Sequence, residues 1–245
     1  MEIFIGCAGW QITPCSEHFR EGDSCLARYA TVFNAVEINS TFKRLHKKTT
    51  FARWRDSVPA GFRFAVKLPK EITHVRKLKN SSEILIPFLA AVSGLENKLG
   101  PLLIQLPPKL VFERETAKEF FDAFRARFQG AAVCEPRHAS WGDQEAEQLL
   151  RSHSIGKVAA DPAPYPGSEL PSGSTDVVYR RLHGSPKMYY SSYSESDLLG
   201  IAEQLVSFPK NTWCIFDNTA ARAAIPNALM LQSSIRLAGA KILEM

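Results

Sequence analysis

The feature that most constrains this chain is an alternation, repeated eight times, of short apolar runs with longer polar segments of helical periodicity. The runs are residues 3–7, 35–39, 62–68, 102–106, 131–135, 156–161, 177–183 and 213–217. Short apolar runs separated by helices are typical of parallel strands, because parallel neighbours need a crossover connection. Eight such units in 245 residues predict a closed (β/α)8 barrel of the TIM type.

The segments between the runs carry signals of helix formation. We predict helices at residues 24–33, 49–57, 81–99, 113–128, 143–153, 195–208 and 221–239. Two of them begin with a serine followed by acids, at Ser81 and Ser194, where the first amides of a helix need acceptors. No linker or short repeat interrupts the alternation. We therefore expect a single TIM-barrel domain over residues 1–245.

An open doubly wound sheet is the alternative architecture for alternating strands and helices. It would need a glycine-rich phosphate loop after its first strand. The segment Gly6-Cys7-Ala8-Gly9-Trp10 matches that loop poorly, since the Trp10 side chain would keep the backbone away from a pyrophosphate. The barrel is the preferred prediction.

Composition limits the classes of protein that fit. The chain is 45% hydrophobic and 22% charged, as globular domains are. No apolar stretch approaches the roughly 18 residues of a membrane span, and the start lacks a basic leader, so we expect a cytoplasmic protein without a membrane. Five cysteines without a C-x-x-C pair fit a reducing compartment. The formal net charge of +5 permits an anionic partner. Cations crowd one segment, at Lys67, Lys70, His74, Arg76, Lys77 and Lys79.

Most of the apolar runs end in a polar residue. Strand side chains alternate, so Glu37 and Asn39 share one face of the second run and Val36 and Ile38 share the other. In a barrel the apolar face contacts the helices, which leaves the polar face inside or at the rim. The resulting set is Glu37, Asn39, Lys67, Gln105, Glu135, Arg137, Asp161, Arg181, His183 and Asn218. This polar set has two interpretations: it forms a functional site, or it is a structural ion-pair network that fills one end of the barrel.

Roles for a functional site follow from side-chain chemistry. Lys67, Arg137 and Arg181 would bind an anionic ligand. Glu37, Glu135 and His183 are the candidate catalytic residues for proton transfer. Asn39, His74, Gln105, His138 and Asn218 complete the predicted substrate-binding set, although His74 and His138 fit structural hydrogen bonds as well. Strands two and five lie roughly across a barrel, so a tight Glu37–Glu135 pair of the glycosidase kind is not expected.

Two other ligands fit parts of the pattern. Glu135, Asp161 and His183 lie on consecutive strands, and Asp217 adds an oxygen, so a divalent metal ion is the alternative to a site without cofactor. Trp10, Trp141, Tyr189, Tyr190 and Tyr193 follow strands, and aromatics beside cations are typical of single-stranded nucleic-acid binding. Packing of loops on the barrel rim explains these aromatic residues equally well.

Seven motifs occur in an order that resembles a known family. They are Gly6-Cys7-Ala8-Gly9-Trp10, Val36-Glu37-Ile38-Asn39-Ser40-Thr41-Phe42, Phe64-Ala65-Val66-Lys67-Leu68-Pro69, Ile72-Thr73-His74, Gln105-Leu106-Pro107-Pro108, Glu135-Pro136-Arg137-His138-Ala139-Ser140-Trp141 and Arg181-Leu182-His183-Gly184. As a set they resemble the YecE-like family, domain of unknown function 72. The resemblance implies a TIM-type barrel and no established reaction. Phe216-Asp217-Asn218 departs from the Phe-Asn-Asn pattern frequent in that family.

Three functions remain open from the sequence. The leading hypothesis is a cytoplasmic barrel enzyme or ligand-binding protein that acts on a small anionic, phosphorylated substrate. The second is a metal-dependent phosphodiesterase or nucleic-acid-processing enzyme, with hydrolysis as the expected reaction class. The third is a non-catalytic module that binds nucleic acid or a partner protein. The substrate and the reaction are not specified by any motif.

Overall fold

The structure, a computed structural model, describes residues 2–237 except 14, 175 and 209. Its strands are β1 Ile3–Cys7, β2 Ala35–Ile38, β3 Arg63–Lys67, β4 Leu99–Gln105, β5 Ala132–Glu135, β6 Gly156–Lys157, β7 Ala159–Asp161, β8 Ser172–Gly173, β9 Val178–Leu182 and β10 Thr212–Phe216. Each predicted run contains a strand, and the sixth run is divided into β6 and β7 at Val158. The two-residue β8, antiparallel to β6, lies outside the predicted runs.

The helices are α1 Cys25–Tyr29, α2 Lys48–Asp56, α3 Ser82–Val92, α4 Arg114–Arg125, α5 Gln144–Ser152, α6 Glu195–Ser207 and α7 Ala224–Leu237. The third predicted helix is too long, because a tight turn over Ser93–Lys98 with Glu96 at φ 50° ends it before β4. The predicted end of the last helix at residue 239 lies outside the described residues. No helix in the part of the chain described has the length and apolar character needed to cross a membrane.

The strands form two parallel sheets that meet along both edges. One has the order β1-β10-β9-β7, and the other has the order β2-β3-β4-β5-β6-β8. The sixth run passes from one sheet to the other, since β6 pairs with β5 while β7 pairs with β9. At the opposite edge a parallel bridge joins Ala8 to Glu37. This order is that of the predicted (β/α)8 TIM-type barrel, folded as a single domain.

Side chains join β1 to β2 where backbone pairing is sparse. The Asn34 amide group accepts from Ile5 N at 2.9 Å and donates to Ile3 O at 2.8 Å. The Tyr29 hydroxyl accepts from Cys7 N at 2.8 Å and donates to Ala35 O at 3.0 Å. Gly6 permits this close approach, because a Cβ there would lie 2.0 Å from Ala35 O.

The barrel has an outer core and an inner core. The outer core packs the helices on the strands, while the inner core fills the cylinder. Trp213 stacks between Phe4 and Tyr179 inside, with ring centroids 4.7 and 5.9 Å away. Inner-core residues Ala35, Ala65, Leu103, Val133, Tyr179 and Ile215 are each followed two positions later by a polar residue. Strand alternation therefore stacks a polar layer on the apolar interior, at the carboxyl ends of the strands.

Candidate functional site

Arg181 on β9 is the centre of the polar layer and is fully buried. Its guanidinium donates to Glu37 Oε2 at 3.0 Å and Oε1 at 2.7 Å, to Glu135 Oε2 at 2.6 Å and to Asp217 Oδ2 at 2.8 Å. A planar guanidinium with five donors suits this arrangement, since each carboxylate approaches a different edge. Glu37 and Glu135, expected across the barrel from one another, are thus brought to one cation.

His183, two residues further along the chain, lies between two of these carboxylates. Its Nε2 is 2.7 Å from Glu135 Oε1, and its Nδ1 is 3.1 Å from Asp217 Oδ2. Both ring nitrogens are therefore engaged, which leaves neither available to a ligand in this arrangement. We call Glu37, Glu135, Arg181, His183 and Asp217 the inner network.

Positively charged neighbours lower the pKa values of Glu135 and Asp217. Burial alone would raise the pKa of Glu135, but Arg181, Arg137 and His183 hold that pKa well below its ordinary value. Burial likewise opposes the lowering of the Asp217 pKa, which Arg181 and the His183 hydrogen bond bring about. A carboxylate held this firmly in its charged form is a poor proton carrier at neutral pH. The geometry thus supports a structural role for Glu135.

A second group of side chains covers the inner network on its solvent side. Arg137 donates from Nη2 to Glu135 Oε1 at 3.1 Å and from Nη1 to the Tyr189 hydroxyl at 3.1 Å. His74, on the π-helical turn Glu71–Val75 after β3, keeps its Nδ1 2.8 Å from Thr73 Oγ1. Burial lowers the pKa of His74, and the nearby charges of Lys67 and Arg137 lower it further. His74 therefore lies close to both cations. We call Lys67, His74, Arg137, Phe42 and Tyr189 the mouth.

Lys67 differs from the other buried cations in lacking an acidic partner. The residue is 9% exposed, and its Nζ lies 4.4 Å from the centre of the Phe42 ring. No carboxylate oxygen of the described residues lies within 4.0 Å of the Lys67 Nζ, which is the limit for an ion pair. Burial lowers the pKa of Lys67 and the charge of Arg181 adds to that effect, while the more distant carboxylates Glu37, Asp217 and Glu135 oppose it in part.

Three of the remaining predicted ligand residues, Gln105, His138 and Asn218, make hydrogen bonds outside the mouth. Gln105 donates to Leu106 O at 2.8 Å, and His138 Nδ1 accepts from Ser140 N at 3.2 Å. Asn39 Oδ1 is buried and has no hydrogen-bond partner. Asn218 turns away from the barrel interior and donates to Ser191 O and Asn227 Oδ1. The preceding residue, Asp217, takes the inward position, in step with Trp213 and Ile215.

Asp161 does not join the other predicted metal ligands. In the β7–β9 register Ala160 pairs with Arg181, so Ala160 faces inward, while Asp161 pairs with Leu182. The Asp161 side chain lines a cavity beside Tyr193 and α6 instead. Across the described residues, no group of three histidines, cysteines or acids is arranged to hold a metal ion. The geometry thus gives the metal alternative no support.

Three residues of the site have weak or no sequence signals. The Tyr179 hydroxyl donates to Glu37 Oε2 at 2.9 Å, and its position two residues before Arg181 on the same strand could have indicated this. Phe42 and Tyr189 come from loops, whose paths no periodicity predicts. Exposure rises from 0% at Arg181 to 9% at Lys67 and 38% at Tyr189. A solute approaching from solvent therefore meets the mouth before the inner network.

Comparison with known proteins places the chain in a family. A family model described as "Protein of unknown function DUF72" matches residues 4–244. "UPF0759 protein YecE" of Escherichia coli K12 is 30% identical over 166 residues, which is 66% of this chain. That match spans 60% of the length of the curated relative.

Solved structures agree with the fold. A DUF72 family protein from Thermotoga maritima is 26% identical, with a TM-score of 0.81 over 96% of this chain and 100% of the other. One from Enterococcus faecalis is 20% identical, with a TM-score of 0.82 over 96% and 95% of the two chains. A xylose isomerase domain containing protein from Salmonella typhimurium has a TM-score of 0.58 at 14% identity, covering 96% and 97%. With its family match and its barrel in agreement, the chain belongs to the DUF72 family of proteins of unknown function.

Proposed function

We propose that this protein binds a small anionic ligand, carrying a phosphate or carboxylate group, at the mouth of the barrel. The observation that carries the proposal is the buried Lys67 ammonium, which lies against the Phe42 ring and has no carboxylate of the described residues within 4.0 Å. Burying an unpaired charge costs free energy, and a bound anion would offset that cost. Arg137, held by Glu135 and Tyr189, is the second cation available to the ligand.

The inner network supports this binding by removing repulsion. Glu37, Glu135 and Asp217 would otherwise oppose an anion, but Arg181 contacts all three of them. The same contacts hold Glu135 in place, and Glu135 in turn holds Arg137. The anion would therefore meet Lys67 and Arg137 as oriented donors, above carboxylates whose negative charge Arg181 and Arg137 offset in part.

His74 is the group in the mouth best suited to exchange a proton with the ligand. Thr73 engages its Nδ1, and no described residue makes a hydrogen bond to its Nε2. The lowered pKa of His74 keeps the ring neutral at pH 7, so Nε2 can accept a proton. If the protein is an enzyme, His74 then takes the role that the sequence suggested for Glu37, Glu135 and His183.

A ligand screen with a matched pair of lysine variants tests the proposal. Wild-type protein is screened by thermal shift against phosphorylated and carboxylated metabolites, and the ligands found are measured by calorimetry. We expect Lys67→Met to weaken binding at least about tenfold, the effect of losing one charged hydrogen bond. Lys70→Met, which removes an exposed lysine three residues further along, should change affinity less than about twofold.

Two outcomes would contradict the proposal. One is that no anion in the screen binds the wild-type protein at millimolar concentration. The other is that a ligand binds wild type and Lys67→Met with equal affinity. Circular dichroism of each variant establishes that a lost affinity does not come from a lost fold.

A further inference from the structure

The positive charge of the chain is concentrated in three loops at one end of the barrel. The loops are residues 39–47 after β2, 68–81 after β3 and 106–113 after β4. Their cations are Lys43, Arg44, Lys47, Lys70, Arg76, Lys77, Lys79 and Lys109, against two acids, Glu71 and Glu113. The whole chain carries a net charge of only +5, so this sector accounts for the entire excess.

The three loops form one continuous surface. β2, β3 and β4 are neighbours in the sheet, so the loops leave the barrel side by side. Phe42 of the first loop packs on His74 of the second, with ring centroids 4.8 Å apart. Lys79 of the second lies 3.6 Å from Glu113 of the third.

Each of these loops also exposes a large aliphatic side chain. Leu45 is 44% exposed, Val75 is 57% exposed and Val111 is 55% exposed. Between the second and third loops lies a groove of about 410 Å³. Its lining combines apolar residues such as Leu110, Val111 and Phe112 with three lysines, Lys77, Lys79 and Lys109, and one acid, Glu113, which pairs with Lys79.

We propose that this three-loop surface docks an acidic segment of a partner protein, which places an apolar side chain in the groove. The lysines complement the acidic residues of the segment, and Val111 and Phe112 contact its apolar anchor. Interfaces commonly combine a buried apolar anchor with surrounding charges that set the rate and register of association. The proposal does not rest on ligand binding at the mouth: Phe42 and His74 of the mouth lie in the same loops, but none of the residues that line the groove belongs to the mouth.

The exposed aliphatic side chains favour a protein segment over other polyanions. Nucleic-acid bases stack on aromatic rings, and the exposed large apolar residues of these loops are aliphatic. A bilayer would contact the protruding Leu45 and Val75 side chains but would leave the concave groove unfilled. If the loops served only to attract small anions towards the mouth, their positive charge would be sufficient, and the exposed leucine and valine side chains would have no function.

Fluorescence anisotropy with synthetic probes tests the proposal on the full chain. The probes are a short peptide of aspartates and glutamates with one central leucine, its twin with serine in place of leucine, oligothymidylate, and phosphatidylserine-containing vesicles. We expect wild type to bind the leucine peptide about tenfold more tightly than the serine peptide. The double variant Lys77→Glu, Lys109→Glu should lower the affinity for the leucine peptide at least about tenfold. Val111→Ser should reduce the difference in affinity between the leucine and serine peptides.

A matched charge reversal provides the control. Arg127→Glu changes an exposed arginine just beyond the C-terminal end of α4, away from the groove, and should alter affinity less than about twofold. Equal affinity for the two peptides, or no binding of either at millimolar concentration, would overturn the proposal. The proposal would also be overturned if oligothymidylate or the vesicles bound more tightly than the leucine peptide and the lysine substitutions abolished that binding. The occupant of the surface would then be a nucleic acid or a membrane.

Discussion

Arg181 shows how one residue holds acids from three other strands or strand ends in place. Glu37 lies in β2, Glu135 ends β5 and Asp217 comes directly after β10. The buried guanidinium contacts each of them. Taking these charges out of water is costly, so the network persists only because every carboxylate has a partner. Removing the shared cation therefore takes a partner from three buried carboxylates at once.

Replacing this arginine should destabilise the fold strongly. We expect Arg181→Met to lower the free energy of unfolding by about 3–5 kcal/mol at pH 7, the range for a broken buried ion pair. Urea denaturation measures the change, with Arg127→Met as the exposed control. A loss of unfolding free energy below about 1 kcal/mol, which is typical of solvent-exposed ion pairs, would contradict the prediction and show that water reaches these acids.

The depressed pKa of Glu135 makes stability depend on acid pH. Because the folded pKa lies below the ordinary value of 4.5, the unfolded chain binds the proton more readily. The stability that this carboxylate contributes is therefore fully present above pH 4.5. It declines as the pH falls below 4.5 towards the folded pKa.

Glu135→Gln should remove this contribution while keeping the shape of the side chain. We expect the variant to lose roughly 3 kcal/mol at pH 7 and to show a smaller further loss below pH 4.5 than wild type. Urea denaturation at pH 7, 4.5 and 3 compares the two proteins. A gap between them that stays constant across this range would contradict the assignment of a depressed pKa to Glu135.

At the scale of elements, the junction of β1 and β2 closes the barrel with side-chain hydrogen bonds in addition to the Ala8–Glu37 backbone bridge. Tyr29 and Asn34 precede β2 in the chain and supply hydrogen bonds to Ile3, Ile5 and Cys7 of β1. Gly6 allows β1 to approach Ala35 closely enough for these bonds. The short helix α1 thus does more than connect two strands, because it delivers Tyr29 to the junction.

Tyr29→Phe tests this function of α1. The variant keeps the buried ring and loses the hydroxyl, so Cys7 N and Ala35 O each lose a partner. We expect a loss of about 1–3 kcal/mol in urea denaturation, the cost of leaving buried polar groups unpaired. Tyr190→Phe, at a tyrosine 51% exposed, should change stability by less than about 0.5 kcal/mol. Equal effects of the two substitutions would contradict the proposed closure.

At the scale of the whole molecule, the barrel separates three kinds of environment. An apolar interior with Trp213 at its centre lies beneath the inner network, and the network lies beneath the mouth. Beside the mouth, the loops after β2, β3 and β4 carry the excess positive charge of the chain. An anion is therefore attracted to one sector of one face, where Lys67 and the proposed docking surface both lie.

The sequence by itself determined the architecture and the chemical make-up of the polar layer. Strand alternation places Glu37, Lys67, Glu135 and Arg181 inward from local pattern alone, and the alternation of strands with helices specifies the parallel barrel.

Only the tertiary structure decided which of these charges are paired. Arg181 and Glu37 are 144 residues apart in the chain, so no local pattern records their contact. Val158 and Ala160 take the inward positions of the sixth run, so Asp161 faces outward, and Asp217 took the place predicted for Asn218. The unpartnered state of Lys67 likewise depends on distances between strands and loops, because the energy of a buried charge is set by its neighbours in space.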